Sequence, residues 1–207
     1  MLSDAALAPD SERLAAVERG WENLTGPGAM LTAAERHEVI RLARAAWAGA
    51  PGPDEVAGAT GEAAHWLAID AEGLRADIVA DFEARGLDRL SYLEIVGVVG
   101  RLANIDFYAL GLGAAVPIIP EPDPAPPSRA VHPDAILTNM WVPTVGESYA
   151  PLVLDALPAE GEALRDLHEP MYVRFSALGD GSYADSLTKA QIEFVAARTS
   201  YLNECFY

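Results

Sequence analysis

The chain has 207 residues, of which 51% are hydrophobic, and its 14 basic residues face 31 acidic ones for a net charge of −17. That length suffices for one good core or for two small halves sharing one, and the apolar share excludes a disordered chain despite the charge. The acid excess excludes nucleic acid and anionic membrane surfaces as partners, since both require a basic face. In chain order, Ala-rich segments of helical period predict helices near 11–24, 32–48, 54–69, 73–85 and 89–112. The most apolar stretch, Tyr92 to Pro120, holds Glu94, Arg101 and Asp106 and ends in prolines, so it falls short of a membrane span. Seven of the 15 prolines then lie in "PIIPEPDPAPPSRAVHP", 117–133, an extended connector or wrapping arm. Beyond it, "LTNMWVPTVGESYAPLVLDAL" reads as irregular before becoming helical, with Trp141 anchoring it on the core. Further helices are expected near 149–157, 160–176 and 188–203, and no alternating strand is convincing.

The expected fold is therefore all-α, a helical bundle of two halves: 1–115, a connector over 116–135, and 136–207. Two segments, "LTAAERHEVIRLARAAWAG" (31–49) and "LTKAQIEFVAARTSYLNEC" (187–205), align without gaps and both open with a Thr-x-x-Glu/Gln capping box. If they are repeats, the first copy is degenerate, with Gly49 at the position of Cys205 and His37 at that of Glu193. No basic-then-apolar leader opens the sequence, and a single cysteine forms no internal disulfide, which together point to the cytoplasm.

Chemistry is sought first at that cysteine. The helix opening at Thr188 carries Ile192, Val195, Ala196, Thr199 and Leu202 as one apolar stripe, and Asn203 is placed to cap its end. A cysteine just beyond such a cap sits at the start of a following helix, where backbone amides and the dipole favour the thiolate. A lone cysteine is otherwise a small buried hydrophobe. Glu62 and His65 form a Glu-x-x-His pair, half of a di-iron motif without its second copy, and read as a surface glutamate and a partly exposed histidine beside Trp66. His132 and His168 lack partners at metal-ligand spacing, and no dinucleotide fingerprint, phosphate loop or nucleophile elbow is present. No metal and no cofactor is expected.

The segment "QIEFVAARTSYLNECFY" resembles the active-site segment of the alkylhydroperoxidase D and carboxymuconolactone decarboxylase superfamily, and "LSYLEIVGVVGRLANIDFYALGLG" (90–113) looks like a helix of its longer, two-half members. Peroxidatic members carry a glutamate, eleven intervening residues, Cys-x-x-Cys, and a histidine four residues further on. Glu193 and Cys205 stand at that separation, while the second cysteine and the histidine have no counterpart in the sequence. The resemblance implies an alkylhydroperoxidase-like thiol oxidoreductase that reduces a small peroxide or disulfide, with Cys205 as attacking thiol and Glu193 as proton relay. A straight helix would separate the two by about 18 Å, so the chain must fold back near Asn203 for them to cooperate. The resemblance also implies a homo-oligomer.

Tyr207 is expected to be a cut end, with a complementary C-terminal chain completing the site and little turnover from this chain alone. Alternatives are a carboxymuconolactone decarboxylase-like proton-transfer enzyme, which needs no second cysteine, or a non-catalytic helical interaction protein.

Overall fold

Helix capping organises the chain locally. The computed structural model describes residues 2–52, 58–138, 141–146 and 150–203, and among these the fold is all-helical apart from two isolated bridges, Ile136 with Thr144 and Ala184 with Thr188. The helices are α1 (Ser11–Thr25), α2 (Ala33–Trp47), α3 (Gly58–Ile69), α4 (Ala76–Ala84), α5 (Arg89–Gly111), α6 (Pro158–Met171) and α7 (Lys189–Leu202). Asp10 caps α1 and Asp88 caps α5, each carboxylate accepting two backbone amides of the first turn. Both Thr-x-x-Glu/Gln boxes form: Thr32 with Glu35 at α2, and Thr188 with Gln191 at α7.

Three expected helices are shorter or tighter than their periodicity suggests. The segment near 73–85 divides into a 3₁₀ turn, Ala71–Gly73, and α4, because the Asp70 side chain accepts the Gly73 amide and closes the turn early. The segment near 149–157 is a 3₁₀ helix, Ala150–Ala156. The segment near 160–176 ends at Met171, one residue after Pro170, and a separate 3₁₀ turn follows over Phe175–Ala177. The expected start of the 54–69 helix lies outside the described residues.

The chain forms two compact units, Met1–Leu167 and His168–Tyr207. In the first, α5 is the axis against which α1, α2 and α3 pack. Leu93, Ile95, Val98, Leu102 and Ile105 of α5 are fully buried, with Val39 and Ile40 of α2, Ala63 and Ala64 of α3, and Leu24 of α1. Gly97 lets Leu154 pack closely: a methyl there would stand 2.9 Å from Leu154 Cδ1, so the leucine side chain would have to shift.

The proline-rich segment runs within the first unit without regular secondary structure, tied down by backbone donors. Ser128 N donates to Gly28 O (2.9 Å), Arg129 N to Ala29 O (2.8 Å) and His132 N to Ala156 O (2.9 Å). Trp141 does not anchor the segment that follows, being 42% exposed. Burial of Val142 and Thr144 does so instead, with Ile136 and Thr144 exchanging two backbone hydrogen bonds of 3.0 Å.

Candidate functional site

Glu193 is the part of the expected thiol site that the structure describes; Cys205 lies outside the described residues. The capping box fixes the start of α7, and Glu193 follows on its second turn, exposed but not isolated. The Tyr172 hydroxyl donates to Glu193 Oε2 at 3.1 Å, and Lys189 Nζ, one turn back, lies 3.1 Å from Oε1. Lys189 is itself held, donating to Leu178 O at 3.0 Å. Burial raises the Tyr172 phenol above its ordinary pKa, and the bond to Glu193 and its negative charge raise it further. The carboxylate is thus held in place by a phenol that retains its proton, on one oxygen, and by an ammonium on the other.

The rest of α7 departs from expectation. The stripe is covered only in part: Ile192 and Ala196 are half-buried, Val195, Thr199 and Leu202 are exposed, and no residue of α7 is fully buried. Asn203 does follow the helix as its cap, with its N–H directed to Thr199 O and Tyr201 O, but its φ of −95° is right-handed. The cap therefore does not use the left-handed conformation for which asparagine is suited.

A second cluster was not foreseen from the sequence. Arg36 of α2, Glu94 and Arg101 of α5, and Glu160 of α6 form one ion-pair network and are each no more than 1% exposed. Arg36 Nε donates to Glu94 Oε1 at 2.6 Å, and its Nη2 donates to Glu160 Oε1. Arg101 Nη2 donates to the other oxygen of Glu160. Asn23 takes a further donor from each guanidinium, its carbonyl accepting Arg36 Nη1 at 3.0 Å and its side-chain oxygen Arg101 Nη1 at 2.6 Å, while Arg101 Nε donates to Gly97 O at 3.1 Å. Glu94 Oε2 also accepts the amides of Met30 and Leu31. Gly28 closes over the pair, since a methyl there would overlap Arg36 Nη2 and Glu94 Oε1.

Burial raises the Glu94 carboxyl above its ordinary pKa, against the pull of Arg36 and with the push of Glu160. Burial likewise lowers the Arg101 guanidinium, against the pull of Glu160. Two cations and two anions balance, every guanidinium has several acceptors, and Gly28 fills the approach to the pair. The arrangement fixes α2, α5 and α6 in register. The sequence held one signal for it: three charges inside the apolar stretch of α5, which bear on more than membrane insertion. The third, Asp106, pairs with Arg44 through both carboxylate oxygens at 2.7 and 2.8 Å.

His65 is buried at 4% exposure, not partly exposed, with its ring edge-on to Trp66 at 5.0 Å between centroids. Glu62 instead turns to Arg85, 2.7 Å away. His37 is also buried and lies 2.8 Å from Thr25 O through Nε2. Among the described residues no group of three or more His, Cys, Asp or Glu is placed to hold a metal ion, and no helix is long and apolar enough to cross a membrane. Comparison of the chain with protein-family models, with curated proteins and with solved structures finds no match to any of them.

Proposed function

We propose that this chain belongs to an alkylhydroperoxidase-like thiol oxidoreductase, in which Cys205 attacks a small peroxide and Glu193 relays the proton. The observation that carries the reading is the pinning of Glu193, on the helix that leads toward Cys205, by the Tyr172 hydroxyl and the Lys189 ammonium.

The step balances as follows. Glu193 takes the proton of the Cys205 thiol, and the thiolate attacks the terminal peroxide oxygen. The O–O bond breaks, sulfur is oxidised to sulfenic acid, and the departing alkoxide receives the proton from Glu193 as alcohol. A second thiol, from a resolving cysteine or an added reductant, then condenses with the sulfenic acid to a disulfide and releases water. With one cysteine in the sequence the chain alone stops after the first step, so the expected product is stoichiometric sulfenic acid and not turnover. Exposure to one equivalent of alkyl hydroperoxide in the presence of dimedone tests this. Intact mass should gain one adduct, located at Cys205 and missing in Cys205→Ser. Absence of the adduct in the unaltered chain would overturn the reading.

A further inference from the structure

We propose that α7 of one copy docks in the acidic cleft between α3 and α4 of a second copy of this chain. Two features of opposite charge carry the inference, and neither depends on the thiol chemistry. The first is the uncovered face of α7. Phe194 and Tyr201 are each 74% exposed, Leu202 63% and Val195 57%, and their spacing places them on one side of the helix. In the middle of that face stands Arg198, its guanidinium 5.3 Å from the centre of the Tyr201 ring and without a carboxylate partner among the described residues. Single exposed apolar residues are ordinary on a protein surface, whereas a contiguous stripe marks an interaction site.

The second feature is a cleft of about 340 Å³ with an apolar floor of Trp66 and Leu74 and a rim of Glu62, Asp70, Asp77 and Asp81. Arg85 bridges Glu62 and Asp81 at 2.7 and 2.8 Å, and Arg75 lies 3.4 Å from Asp77. Four carboxylates against two guanidiniums leave the cleft negative, as suits a cation arriving with aromatic neighbours.

Charge selects this occupant over the simplest alternative. If α7 paired with α7 of another copy across a two-fold axis, Arg198 would face Arg198 in the centre of the contact, a like-charge juxtaposition that costs affinity. The cleft supplies carboxylates for the guanidinium and an indole for the aromatic rings.

Sedimentation of the full chain at micromolar concentration tests the proposal, with Arg198→Glu and Asp77→Lys as variants. Both positions are exposed, so each variant should fold, with circular dichroism and melting unchanged. The unaltered chain should associate, and each variant alone should bind itself at least tenfold more weakly. An equimolar mixture of the two should recover association, because every contact then pairs opposite charges. A monomeric unaltered chain would overturn the proposal. So would undiminished association of Asp77→Lys, which would move the contact away from the cleft.

Discussion

The buried ion network of the first unit and the exposed carboxylate of α7 use the same side-chain chemistry to opposite ends. Glu94 and Glu160 have no access to water, and every oxygen is committed to a guanidinium or a backbone amide. Glu193 has two partners and an open side, so a reacting group can approach it. A fully committed charge specifies structure, while a partly committed one is free to act. The contrast also separates a packed helix from a partly covered one: α5 gains its place by burial around paired charges, whereas α7 forms through its capping box and leaves Val195 and Leu202 exposed.

The comparison is broken most forcefully at the network. Glu160→Ala leaves both Arg36 and Arg101 buried without their shared carboxylate, and should lower the stability of the first unit by about 3–5 kcal/mol. Chemical denaturation followed by tryptophan fluorescence measures this, and a loss below about 1 kcal/mol would mean that water reaches the network freely. The corresponding change at α7 is smaller. Thr188→Ala removes one half of the capping box and should cost the helix about 1 kcal/mol, read as faster amide exchange over 189–202 with the first unit unchanged.

Acid and base should separate the two regions with opposite sign, the smallest effect of the three. Because the folded pKa of Glu94 is raised by burial, its contribution to stability is fullest below the ordinary value of 4.5 and is lost as pH rises through the folded value. His168, in the second unit, is lowered by burial against the opposing charge of Glu169. Its contribution is present above the ordinary value of 6.5 and is lost as pH falls through the folded value. Denaturation midpoints measured across pH 4 to 8 should therefore lose the first trend in Glu94→Gln and the second in His168→Gln.

How far the sequence carried differs between these regions for a physical reason. Local rules govern capping, so Thr32 with Glu35 and Thr188 with Gln191 were legible from three-residue spacings. Helical periodicity was legible at α2, which buries one continuous face, whereas α5 is buried on most sides over 91–99. The network was not, since its partners are 58, 59 and 124 residues apart and only the packed helices bring them together. Periodicity also overstated burial on α7: an apolar stripe states what could be covered, and covering it requires another surface. The Tyr172–Glu193 bond spans 21 residues across a turn region, a separation that no local motif announces.

The central claim, that Glu193 governs thiol chemistry at Cys205, is tested most directly by the second-order rate constant for oxidation of Cys205 by an alkyl hydroperoxide. The measurement compares the unaltered chain with Glu193→Gln, after equal melting temperatures have been established. A positioned proton relay contributes on the order of 10²–10⁴ in rate, so the glutamine variant should be at least tenfold slower. Equal rates in the two proteins, both matching a free cysteine in solution, would contradict the account.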